Sequence, residues 1–287
     1  MLERFARRIR GLQFSGLILV LCLCSPATAQ ETYSFGVIAQ RSPTLTAQFW
    51  NPILDYVSNQ AGVRLDMKMA RSGDLSSDAV VRGEYDFTFS NHQFKPSAAT
   101  QAYSVILRTR GEDIFAQLVV LESASVRSVS DLQDMAVGFA NPQAFVGYTV
   151  PMDHLQRAGV KVSPVFGGNQ EGIMAQLKAG NVIAAGVNSV IMKDYAAREG
   201  LRYRVLWQSE AFRDLAISVH PRVPADVVQR VRKAFAGMSE DANGMKVLEA
   251  SGRVINQKPP LGFVAATQRD YQSYIDFYLH NVFKGAQ

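Results

Sequence analysis

Cysteine is almost missing from this chain: of 287 residues only Cys22 and Cys24 carry a thiol, and both lie in an apolar run near the start. If that run is removed, no disulfide, thiolate metal site or cysteine nucleophile can form. Histidine is scarce too, and His92, His154, His220 and His280 stand far apart, without metal-ligand spacing. No G-x-S-x-G, H-E-x-x-H or Walker loop occurs, and no G-x-G-x-x-G follows the first predicted strand. Catalytic residues, a resident metal and a cofactor are therefore not expected. After the first apolar run, no stretch approaches membrane-spanning length and no block of basic residues occurs. Nucleic acid and anionic membrane are therefore not expected as partners. What is present is a globular composition, 47% hydrophobic and 19% charged, with apolar surface enough for a large core.

The first 29 residues read as a secretory leader. Arg4, Arg7, Arg8 and Arg10 precede an apolar run from Phe14 to Cys24, and Ala27-Thr28-Ala29 follows the small-x-small rule for cleavage. Cleavage is expected after Ala29, with the remainder delivered to the periplasm. The leader holds four of the 30 basic and one of the 25 acidic residues, leaving 26 against 24, close to neutrality.

The remainder alternates short strands with helices. Ser34–Ile38 reads as a strand. Phe49, Ile53 and Val57 form a helical stripe that Pro52 should kink or begin. Val63, Leu65, Met67 and Met69 alternate with polar residues, as in a half-buried strand. Further strands are expected at 87–90, 104–107, 114–121, 136–140, 160–165, 182–187, 203–207 and 216–219. Helices are expected near 75–82, 146–158, 170–179, 188–199, 224–237, 242–250 and 265–283, and Ser128–Asp131 resembles a helix cap. This grammar argues for α/β architecture with parallel strands.

Polar clusters fall where strands give way to helices. Gln40-Arg41-Ser42, Asn91-His92-Gln93, Asn141-Pro142-Gln143, Asn169-Gln170-Glu171 and Asn188-Ser189 all occupy such junctions. In open α/β sheets solutes gather at the carboxyl ends of strands, where helix starts present free N–H groups. Any one cluster is also ordinary turn or cap chemistry. Their number makes a shared rim the better reading, with Phe145 and Tyr148 beside it. The candidate solute contacts are Gln40, Arg41, Asn91, His92, Gln143, Phe145, Tyr148, Asn169, Gln170 and Asn188.

Several ordered segments carry a family resemblance: Phe35–Gln40, Trp50–Tyr56, Gly83–Phe87, Val137–Pro142, Gly147–Pro151, Phe166–Glu171 and Gly186–Ser189. Together they resemble the phosphonate/phosphate/phosphite type of periplasmic substrate-binding protein of ABC transporters. The resemblance implies a type II bilobal fold, two α/β lobes closing on a small solute. Lobe 1 would hold residues 30–120 plus 213–287 and lobe 2 residues 121–212, with crossovers near Leu121–Ser125 and Ser209–Arg213. It also implies a monomer that delivers its solute to a permease. A membrane sensor kinase is the alternative partner, and an exported enzyme using His92 with Glu171 a third reading. The chain departs from the family where a Ser-Thr-Ser run usually holds the oxyanion: Ala144-Phe145-Val146 stands there. Gln170 and Ile183 replace a usual histidine and acidic residue. These changes predict a less charged or partly apolar solute.

Overall fold

The computed structural model describes residues 30–285 other than 39, and only the backbone at 99–101. The leader read at 1–29 lies outside the described residues. The chain first lays down β1 (Thr32–Val37), α1 (Pro43–Ala61), β2 (Arg64–Lys68), α2 (Gly73–Val81), β3 (Phe87–Ser90) and β4 (Ser104–Thr109). A second unit follows: β5 (Ala116–Leu121), β6 (Ala136–Phe139), α3 (Val150–Arg157), β7 (Ser163–Phe166), α4 (Gln170–Lys178), β8 (Ala184–Asn188), α5 (Ser189–Glu199) and β9 (Tyr203–Gln208). The chain then returns through β10 (Ala216–Val219), α6 (Ala225–Gly237), α7 (Ala242–Val254), β11 (Phe263–Ala265) and α8 (Gln272–His280).

These strands build two mixed sheets. One has the order β11-β4-β10-β3-β1-β2 and the other β7-β6-β8-β5-β9. In the first, β1 is parallel to β2 and β3, while the returning β10 runs antiparallel between β3 and β4. In the second, β6 is parallel to β7 and β8, and β5 runs antiparallel between β8 and β9. Each sheet has its own apolar core. Phe35, Phe87, Leu107 and Ile217 pack with Trp50, Ile53 and Val57 of α1 and Val231 and Phe235 of α6. Val119, Ala185 and Val187 pack with Ile173, Leu177, Ile191 and Met192 of α4 and α5, while Leu155 of α3 covers the other face.

Three expectations need correction. The first crossover is not at Leu121–Ser125. Ala116–Leu121 pairs with β8 and β9, so the chain changes sheet at 110–115 and the second unit starts before residue 121. The apolar run from Ile114 reads as one strand, but Ile114 belongs to the crossover, where it exchanges hydrogen bonds of 2.8 Å with Phe212 of the returning segment. The two crossovers thus form a short paired hinge. Pro52 does not begin α1, which runs through it. The helix starts at Pro43 behind Ser42, whose Oγ accepts from the Leu45 N–H at 3.3 Å, and ends at Gly62 in the left-handed region. Pro52 and Gln48, whose carbonyl it leaves without a helical donor, are both exposed, so water can satisfy that carbonyl. Finally, the single helix expected over 265–283 is broken into β11, a short 3-10 turn capped by Thr267 and Asp270, and α8.

Helix α8 joins the two lobes. Tyr271, Tyr274 and Tyr278 are buried with Phe94 from the first lobe, Phe145 from the second and Phe212 from the crossover. No helix among the described residues is long and apolar enough to cross a membrane.

Candidate functional site

The carboxyl ends of the parallel strands in both sheets face each other across the hinge. Several contacts span the seam. The Ser42 N–H donates to Glu171 Oε2 at 3.4 Å, and Arg41 lies 3.8 Å from Asp194. Lys95 Nζ donates to Gln143 Oε1. Gly73 and Asn141 are packed so tightly that a Cβ on Gly73 would strike the Asn141 amide.

A cavity of about 180 Å³ lies on this seam. The first lobe contributes Ile38, Gln40, Arg41, Phe49, Trp50 and Phe89, and the second Val190, Lys193, Asp194 and Ala197. Thr109 comes from the end of β4, Gly111 and Glu112 from one crossover and Asp214 from the other, and Ile255–Pro260 closes one side. Its walls are largely apolar, with a few converging charges. Burial lowers the pKa of the Arg41 guanidinium, against the opposing pull of Asp194, Asp214 and Glu171. Burial also raises the pKa of the Asp214 carboxyl, against the Leu215 N–H and Arg41. Among the described residues, the buried Asp214 Oδ1 has no hydrogen-bond partner. An uncompensated carboxylate oxygen costs free energy that a donor from a bound solute would recover.

Away from this cavity the seam is closed by His92, Lys95, Ser77 and Gln143. The His92 ring is 1% exposed, and neither nitrogen has an aligned hydrogen-bond partner. Burial, then nearby Lys95, lowers its pKa to about 3, although the Ser76 and Gln143 carbonyls favour the charged form. Burial brings Lys95 down to about 8, opposed by Asp74 and Asp78.

The expected solute contacts divide. Gln40 and Arg41 line the cavity. Asn91, His92 and Gln143 lie at strand ends on the seam but not on the cavity wall. Asn169 caps α4, its Oδ1 accepting from the Gly172 N–H at 2.8 Å. Asn188 caps α5, with bonds of 3.0 and 3.3 Å from the Val190 and Ile191 N–H groups. Phe145 and Tyr148 lie off the cavity wall, because both are built into packed interiors. Phe145 is 3% exposed among Phe212, Tyr274, Phe277 and Tyr278. Tyr148 is wedged between Phe139, Phe166 and Phe283. Their position after a strand suggested a rim, but aromatic area on a turn can be buried by an element distant in sequence, here the carboxyl-terminal segment.

Gln170 fills the space beneath the turn Phe145–Thr149, which leads into α3. Its Oε1 accepts from the Asn188 N–H at 3.1 Å, and its amide lies against Gly147. A Cβ at residue 147 would come 2.1 Å from Gln170 Nε2. Gly147→Ala is therefore expected to displace Gln170, lose its bond to Asn188 and destabilise the protein by about 1–3 kcal/mol. Urea unfolding measures this, and an unchanged midpoint would contradict the packing.

Sequence reasoning missed Lys95, Asp194 and Asp214. Asp214 precedes the buried run Leu215-Ala-Ile, and Lys95 stands alone between Phe94 and Pro96. A charge isolated against an apolar run was the available signal. Asp194 sits mid-helix and offered none.

A family model described as ABC transporter, phosphonate, periplasmic substrate-binding protein matches residues 35–271. Among solved structures, the chain is similar to a binding protein component of an ABC phosphonate transporter from Pseudomonas aeruginosa. The identity is 16% over 84% of this chain and 83% of that one, with a TM-score of 0.69. PhnD1 of Prochlorococcus marinus, solved with methylphosphonate, matches at 12% identity, covering 86% and 96% of the two chains with a TM-score of 0.70. A Xanthomonas citri protein solved with ATP matches at 17%, covering 88% of this chain and all of that one, with a TM-score of 0.65. At such identities these likenesses show a common fold.

Proposed function

The chain belongs to the phosphonate-type periplasmic substrate-binding proteins of ABC transporters, and from that premise we propose that it captures a small organic solute between its lobes and delivers it to a membrane permease. The observation that carries this reading is the cavity of about 180 Å³, lined jointly by both lobes and both crossovers. A solute held there touches every part that must come together on closure. Its binding free energy therefore favours the closed state that a permease can recognise.

The lining narrows the chemistry. Phe49, Trp50, Phe89, Val190 and Ile255 suit a carbon skeleton, and the partnerless Asp214 oxygen suits a hydrogen-bond donor such as an amine. The small volume limits the solute to a few heavy atoms unless the lobes open wider.

Thermal-shift and calorimetric titration with simple amines, amino acids, organic acids and phosphonates tests the reading. At least one compound is expected to raise the melting temperature, because a ligand selective for the native state stabilises it. Asp214→Asn is expected to weaken that compound by roughly 10- to 100-fold through loss of one charge-assisted hydrogen bond. Absence of any saturable shift, or equal affinity in Asp214→Asn, would overturn the assignment.

A further inference from the structure

Among the described residues Lys95 is a buried cation with no ion-pair partner. Its side chain follows the 3-10 turn His92–Phe94 at the end of β3, and the residue is 3% exposed. The ammonium donates to Ser77 Oγ at 3.2 Å and to Gln143 Oε1, both neutral groups. Asp74 and Asp78 act on it only from beyond ion-pair distance, and Asp78 lies instead 3.9 Å from Arg82 on the exposed face of α2. An ammonium taken out of water costs several kcal/mol unless a negative group meets it. Its position explains how that cost is relieved. Lys95 and Ser77 belong to the first lobe, whereas Gln143 follows β6 of the second. When the lobes part, the carboxamide leaves with the second lobe, and the ammonium and hydroxyl face the gap together.

The opposite wall lacks the hydroxyl run that the resemblance associates with a phosphoryl group, because Ala144-Phe145-Val146 stands there. Phe145 is turned into the aromatic cluster with α8, and the Gln170 amide fills the space against Gly147. On the first lobe the donors are one ammonium and one hydroxyl, beside a His92 ring kept neutral by burial. That set matches a group with two oxygens and a single negative charge better than a dianion with three oxygens.

We propose that Lys95 and Ser77 form an anion subsite on the first lobe, and that the solute is a small carboxylate whose carboxyl group takes the position Gln143 Oε1 holds in the closed seam. The subsite lies on the same seam but off the wall of the cavity; it goes beyond the cavity reading and rests only on capture of a solute between the lobes.

The test is calorimetric titration of the full folded chain with acetate, pyruvate, succinate and glycine, and separately with methylphosphonate and inorganic phosphate. At least one carboxylate is expected to bind more tightly than both phosphorus oxyanions. Lys95→Gln should weaken it roughly 10- to 100-fold, Ser77→Ala several-fold, and Lys95→Arg least of the three. Circular dichroism and urea midpoints of each variant separate lost binding from lost folding; if Lys95→Gln does not fold, Ser77→Ala carries the same comparison. Tighter binding of methylphosphonate or phosphate, or carboxylate affinity within twofold of native in both Lys95→Gln and Ser77→Ala, would overturn the subsite. Titration with methylamine and putrescine tells the two failures apart. An amine that binds and is lost in Asp214→Asn, with no carboxylate binding, leaves the solute receptor standing and removes the Lys95 subsite. No binding in any arm removes both.

Discussion

Phe145→Ala is expected to lower the stability of the protein by about 3–5 kcal/mol, the usual cost of removing a buried aromatic ring. The ring stacks on Tyr274 at 4.4 Å between centroids and meets Phe212, Phe277 and Tyr278 edge-on or tilted at 4.9, 5.1 and 5.4 Å. Each such pair adds to the area that burial removes from water. The position makes the loss larger than in one lobe's core. Phe145 comes from the second lobe, Phe212 from a crossover, and the three remaining rings from α8, so its removal loosens three parts at once. Urea unfolding followed by far-ultraviolet dichroism measures the change. A midpoint within error of native, with solute affinity reduced instead, would mean that Phe145 lines the solute site and that the packed arrangement is not the one in solution.

His92 sets the second large effect, a loss of stability in acid. Burial and the neighbouring Lys95 hold its pKa at about 3, against 6.5 for the free side chain. Below pH 6.5 the unfolded chain therefore takes up a proton that the folded protein refuses until about pH 3. Stability contributed by the neutral ring is complete above pH 6.5 and falls as the pH drops through this window. Between pH 6.5 and 4 the loss is about 3 kcal/mol, taking about 1.4 kcal/mol for each pH unit. Carboxylates with lowered pKa, such as Asp86, which burial opposes but Arg222 and Ser34 hold down, add their own losses mainly below pH 4. The histidine part is isolated by comparing native protein with His92→Gln. The native curve should fall steeply from pH 6.5 to 4 and the variant curve should be nearly flat there. Parallel curves over that interval would place His92 in contact with water.

Much of the architecture could be read from residue order alone. Alternation in Val63–Met69 located β2, the stripe of Phe49, Ile53 and Val57 located α1, and the polar turns after β1, β3, β6, β7 and β8 indicated one rim. These signals are local, since periodicity of two or 3.6 and a cap residue depend only on near neighbours. The failures involve partners far along the chain. Ile114–Leu121 looks like one strand because nothing local tells a hinge segment from a sheet strand; the bonds to Phe212 do that. Pro52 looks like a break because its exposed position is set by the packing of α1. That Asn169 and Asn188 cap α4 and α5 is likewise seen only in the fold, because capping and binding use the same side-chain oxygens.

The sequence by itself determined the α/β class, the family, the run of strand-end turns and the apolar Ala144-Phe145-Val146 stretch after β6, because these reside in residue types and their spacing. Only the tertiary structure decided which side chains line the seam between the lobes. It buried Phe145 and Tyr148 under the carboxyl-terminal segment and brought Asp194 and Asp214 to the cavity beside Arg41. It also left Lys95 in the seam with two neutral hydrogen-bond partners, Ser77 and Gln143. Burial and the distance between charges fix what such groups do, and both depend on elements that are remote in sequence and adjacent only after folding.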